Sequence, residues 1–189
     1  MFLRTVLAVS GLCAMPALAA WQLDKSASSL HFLTTKNAQV TEIHQFTALN
    51  GSVSDSGQLS VEVPLASVNT SIEIRDTRMK ELLFDVANFP VATFTAQVPE
   101  SLLRTQAGQT LQGTVEGKLT LHGTAAPASF EVIVNRVDDD TLSVTTVSPT
   151  LVQAKDFALE EGVAALQKIA GLDSITLAVP VTFSVTFTR

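Results

Sequence analysis

Residues 175–188 read ITLAVPVTFSVTFT, running from Ile175 to Thr188. Ile175, Leu177, Val179, Val181, Phe183, Val185 and Phe187 fall at every second position. Thr176, Ala178, Pro180, Thr182, Ser184 and Thr186 fall between them. Successive side chains of a strand point to opposite faces, so this segment predicts one long strand with an apolar face and a wet one. Pro180 has no N–H to give to a ladder, so an irregularity is expected there.

The same period recurs towards the amino terminus. It runs through Leu59, Val61, Val63 and Leu65, through Ala92, Phe94, Ala96 and Val98, and through Leu111 to Leu121. Phe130, Val132 and Val134 continue it, followed by Leu142 and Val144, and it is less regular at Leu30, Phe32 and around Ile43. Turn formers separate the runs: Asn50-Gly51, Asp55-Ser56-Gly57, Ala107-Gly108, His122-Gly123 and Asp138 to Asp140. Short connections make sequence neighbours antiparallel neighbours in space. About eight strands with one wet face each predict an all-β sandwich or closed barrel. Two segments break the alternation. Thr77 to Asp85 predicts two turns of helix, with Asp76 as its cap and Pro90 as a stop. Asp156 to Gly171 predicts a second helix, capped by Asp156, with Glu160 and Glu161 early and Lys168 late. Phe157, Val163, Leu166 and Ile169 form its apolar side.

The first twenty residues read as a secretory leader. A basic start ends at Arg4, an apolar stretch runs from Val6 to Pro16, and small residues at 17–20 suit cleavage after Ala19 or Ala20. This predicts export to the periplasm and one domain over residues 21–189. The single cysteine, Cys13, lies in the leader, so the exported chain has no disulfide, thiol nucleophile or thiolate metal site. The formal net charge is −6, and loss of Arg4 makes it more negative. Nucleic acid and anionic membrane surfaces are poor partners for such a chain.

No catalytic set emerges. His31, His44 and His122 are dispersed and have no ligand at a metal-binding spacing, so no metal or other cofactor is required. Glu160-Glu161 and Asp138 to Asp140 read as capping and solvation. No nucleotide fingerprint or zinc-protease motif is present. Binding is therefore favoured over catalysis. Gly113 and Gly117 either relieve strand curvature or make room beside a bound molecule. A membrane-spanning barrel would need aromatic girdles, and the chain has no tyrosine and one tryptophan.

One stretch is more specific. Ser67-Val68-Asn69-Thr70, Ile72, Arg75-Asp76, Met79-Lys80, Phe84-Asp85 and Phe89-Pro90 precede Thr93-Phe94. Together they resemble the signature of the bacterial YceI-like family. Val115 to Gly123 is similar to that family's Gly-x-Leu-Thr-x-x-Gly hairpin, Trp21-x-x-Asp24 with Ser29 to its mature start, and Lys155-Asp156-Phe157 to its late Asp-Phe element. The chain departs from the family at Lys36, where many members have a histidine, and in the length of the Glu160 to Gly171 segment. The resemblance implies an extended, lipocalin-like, eight-stranded antiparallel barrel without enzymatic activity. It implies a long apolar ligand in an internal tunnel: an isoprenoid quinone, a prenyl phosphate or a fatty acid. It involves no nucleic acid and no stable membrane insertion, and it leaves a homodimer open. The candidate liners are Phe32, Phe46, Leu65, Ile72, Phe84, Phe94, Leu119, Phe130 and Phe183, with Arg75 near the polar end of the ligand. The helix after Asp76 would act as a cover over Phe84. The alternative is an exported barrel whose interior is packed with side chains and which serves as an interaction module. Both require one apolar face per strand, so periodicity does not separate them.

Overall fold

The computed structural model describes residues 21–189, and the expected leader lies outside them. Eleven strands are present among these residues: β1 (Trp21–Lys36), β2 (Val40–Phe46), β3 (Asn50–Val53), β4 (Gln58–Pro64), β5 (Val68–Asn69), β6 (Val91–Gln97), β7 (Thr110–Leu121), β8 (Thr124–Asp138), β9 (Thr141–Thr146), β10 (Thr150–Gln153) and β11 (Ala178–Thr188). All pairings between them are antiparallel. The order β1-β3-β4-β6-β7-β8-β9-β11 closes on itself through β11 and β1, an eight-stranded barrel. The other three strands extend its staves. β2 and β3 lie one after the other along β1, and β9 and β10 along β11. β5 follows β4 and pairs with β2.

Local chemistry explains the joints. His122 and Gly123 have φ of 51° and 75°, the left-handed pair needed to turn β7 tightly into β8. The β1–β11 ladder ends at Phe32 opposite Val181, one residue before Pro180, which has no N–H to continue it. Between Asp24 and Ser29, β1 bulges away from β11. The Asp24 carboxylate accepts from the Ser26 N–H at 2.9 Å and hydroxyl at 2.7 Å, which stabilises the detour.

The two helical segments differ from expectation. The first begins earlier: α1 spans Glu73–Arg78 and continues as a wider π turn over Met79–Leu83. Asp76 is inside this helix and does not cap it. Its carboxylate instead accepts from the Thr70 N–H at 2.8 Å and the Thr70 hydroxyl at 2.5 Å. The second is interrupted: a 3-10 turn over Ala154–Phe157 is followed by α3 (Glu160–Ala170), with Ala158 left-handed between them. Asp156 therefore caps nothing. Phe157 and Leu159 are both buried, and positions two apart on one continuous helix point to nearly opposite sides, so burying both needs the break. Gly171 ends α3 in the left-handed conformation, as expected.

One end of the barrel is closed. Trp21 is buried there between two guanidiniums, Arg136 at 4.5 Å and Arg189 at 4.7 Å from its ring. Leu102, from the short helix α2 (Glu100–Leu103), is buried nearby. A Cβ at Gly113 would stand 3.0 Å from Leu102, and one at Gly117 would stand 2.6 Å from the Phe94 ring. The space these glycines leave is taken by neighbouring protein atoms, at Gly117 first by the Thr95 carbonyl oxygen.

Candidate functional site

The apolar faces turn inward, and they leave a cavity of about 470 Å³. Its walls come from most of the barrel staves and from α1, the π turn and α3. All ten candidate residues line it: Phe32, Phe46, Leu65, Ile72, Arg75, Phe84, Phe94, Leu119, Phe130 and Phe183. They are not equivalent. Phe32, Leu65, Phe84 and Phe130 are buried, whereas Ile72 is 45% exposed and belongs to the rim. Phe46 joins Phe32 at 5.3 Å to Phe84 at 6.0 Å, and Phe130 bridges Phe94 at 5.1 Å and Phe183 at 5.4 Å. These edge and tilted contacts form two clusters of three phenylalanines in the cavity wall.

α1, the π turn and α3 cover the end opposite Trp21. Gly162 of α3 sits directly on the π turn, where an added Cβ would be 2.8 Å from the Leu82 carbonyl oxygen and 2.9 Å from the Leu83 Cα. Val163, Leu166 and Ile169 of α3 face the cavity. Ile74 and Ile169 also line it, yet they are 57% and 50% exposed, which locates its opening beside these helices.

The polarity of the wall changes along the strands. Inward positions of β1 run Leu30, Phe32, Thr34, Lys36, while those of the antiparallel β2 run Phe46, His44, Glu42 in the same direction. The two-residue period is unbroken, but its chemistry passes from apolar to ionic. Lys36, Glu42 and Arg75 meet at this end: Lys36 Nζ and Arg75 Nη1 lie 2.8 Å and 2.9 Å from the same Glu42 oxygen. Arg75 also donates to the Thr70 hydroxyl at 2.8 Å and the Thr70 carbonyl at 2.7 Å. Arg75 and Asp76 are thus both fastened to Thr70, which is 5% exposed. Arg78 lines the same end, half-buried, its side chain with no hydrogen bond or ion pair among the described residues. The hydrogen bond from Lys36, then that from Arg75, holds Glu42 below the usual carboxylate range against the opposing effect of partial burial.

His44 was not singled out as a site residue from sequence. It is 4% exposed, its ring packs tilted against Phe32 at 5.2 Å, and Nε2 lies 2.9 Å from the Thr34 hydroxyl. Nδ1 is buried without a partner. Burial, then the positive charge of Arg75, pushes its pKa below the usual imidazole value, which favours the neutral ring. The period that carries Phe46 inward also carries His44 and Glu42 inward. Ile43 obscured that signal: it reads as a core residue but is 69% exposed. Among the described residues no group of three potential metal ligands occurs.

Comparison with known proteins follows the same lines. The YceI-like domain matches residues 21–187. A solved polyisoprenoid binding domain from Saccharophagus degradans, implicated in plant cell wall breakdown, is 34% identical and superposes with a TM-score of 0.87 over 90% of this chain and 99% of its own. Burkholderia cenocepacia BcnA is 17% identical, with a TM-score of 0.64 over 87% of this chain and 98% of its own, and shares the fold. No curated protein matches the sequence.

Proposed function

Because this chain belongs to the YceI-like family, we propose that it is an exported, non-catalytic carrier that holds one long apolar chain inside its barrel. The observation that carries this reading is the cavity itself: about 470 Å³, apolar along its length, with ionic residues gathered at one end. On the scale of about 24 cal/mol per Å³ measured for buried cavities, leaving that space unfilled costs on the order of 10 kcal/mol, an upper bound because the mouth is open. That is comparable with the whole stability of an ordinary domain. A barrel serving only as a packed scaffold gains nothing from such a loss. A prenyl or acyl chain offsets it, contributing about 0.8 kcal/mol per buried CH₂ less the cost of ordering the chain.

The polyisoprenoid-binding relative supports an isoprenoid as the ligand class, as a quinone or a prenyl phosphate, with a fatty acid as the simpler substitute. The protein contributes shelter from water and performs no reaction on the lipid. Residues 1–20 direct it to the periplasm and are removed there. The test is native mass spectrometry of protein gently purified from the cell envelope, followed by organic extraction. A stoichiometric adduct that extracts as a long-chain lipid is the expected result. Protein that binds no quinone, prenyl phosphate or fatty acid on titration contradicts the reading.

A further inference from the structure

We propose that the ionic end of the cavity is a head-group site, in which His44 donates a hydrogen bond from Nδ1 to an acceptor oxygen at the end of the lipid. This rests on the lipid-binding reading above and deepens it: the ligand carries a carbonyl, carboxylate or phosphate oxygen and is not a plain hydrocarbon. Three observations converge on it. First, His44 Nδ1 is a polar atom of a residue only 4% exposed; it has no protein partner, and its ring lines the cavity. Buried polar atoms are nearly always hydrogen-bonded, so an orphan on a ring that lines a binding cavity marks where a ligand atom belongs. Second, the Thr34 hydroxyl, 2.9 Å from Nε2, has a proton of its own to donate. When it does, the imidazole proton resides on Nδ1 and that atom becomes a donor. Third, the walls at this end carry three cations, Lys36, Arg75 and Arg78, against one carboxylate, Glu42. Glu42 is shared between Lys36 and Arg75, and the nearby Asp76 is held by Thr70, so the three cations still outnumber the two carboxylates. Such a surplus favours ligand oxygens that carry negative or partial negative charge.

The experiment uses the exported chain and three probes with the same sixteen-carbon tail: hexadecane, methyl palmitate and palmitate. The wild-type protein is expected to bind the ester and the acid about tenfold more tightly than hexadecane. His44→Phe is expected to lose that preference and to bind all three probes with similar affinity. His44→Gln, whose amide can donate, recovers part of it. The acid is expected to bind more tightly than the ester and to weaken as salt is raised, because the site has surplus positive charge. A readout independent of the variants is the ¹⁵N resonance of His44 Nδ1, which should move on adding methyl palmitate and not on adding hexadecane. Equal weakening of all three probes by His44→Phe, or an Nδ1 resonance indifferent to the head group, overturns the proposal. Hexadecane binding without head-group preference overturns this proposal alone. Failure of the wild type to bind any of the three overturns the lipid-binding reading as well.

Discussion

Thr70 joins the cover to the barrel. Its hydroxyl donates to Asp76 and accepts from Arg75, and its backbone N–H and carbonyl engage the same two side chains. Thr70→Val removes the hydroxyl from both and should destabilise the domain by about 1–3 kcal/mol, read as a shift of the urea midpoint. His44 makes a second prediction. Its folded-state pKa is lowered, so as pH falls below about 6.5 the unfolded chain takes up this proton before the folded one does. Stability should therefore decline with acidification from about pH 6.5 down to the folded value, and His44→Phe should remove that part of the slope. Around the ring are Thr34, Lys36, Glu42, Arg75 and Asp76, none of which changes in the variant. Urea midpoints between pH 7.5 and 5 for the two proteins check it. At this scale the sequence was legible where side chains simply follow the period, as Phe32 and Phe130 do. Arg75 was recognisable as a mouth residue, but its partner Glu42, 33 residues away on β2, was not, because their meeting depends on how α1 packs on the barrel end. Asp76 next to a helix start looked like a cap, yet the Thr70 backbone and hydroxyl are better placed to use it.

The cover is made of two short helical elements that meet at one glycine. In an isolated helix Gly162→Ala would gain about 1 kcal/mol in propensity. Here the new methyl would press on the Leu82 carbonyl oxygen and the Leu83 Cα, which are backbone atoms and do not swing aside. Steric conflict of this kind costs about 1–3 kcal/mol, so the net effect should be a loss. The variant should unfold at lower urea and release a bound chain faster, as the cover is wedged from the barrel. A more stable variant with unchanged release would show that the two elements do not depend on this contact. The strands were readable because alternation is a local property, and the closing strand displays it throughout, although it begins at Ala178 and not at Ile175. The interruptions of the staves were not, since β2 and β3 lie along the same β1 and β9 and β10 along the same β11, and alternation does not mark where one stave segment gives way to the next. The left-handed Ala158 was equally hidden, because only the burial of both Phe157 and Leu159 demands it.

For the whole molecule the decisive feature is the unfilled interior, and it is the feature that alternation leaves open. A packed barrel and a hollow one share an apolar face on every strand, and the difference lies in how far side chains reach across. In this chain they fill the end around Trp21, Leu102 and Val134, and leave space along the phenylalanine clusters and beneath the helical cover. Leu119 lines that space and is half-buried, opposite Phe94 in the β6–β7 ladder. A larger side chain there has room that a packed core would deny it. The central measurement is therefore a titration of wild-type and Leu119→Trp proteins with an isoprenoid quinone, alongside their urea midpoints. The account predicts a one-to-one complex for the wild type, and for the variant an unchanged midpoint with binding weakened at least tenfold. A midpoint lowered by about 1–3 kcal/mol equivalent, with no quinone bound by either protein, would contradict it and identify the interior as an ordinary core.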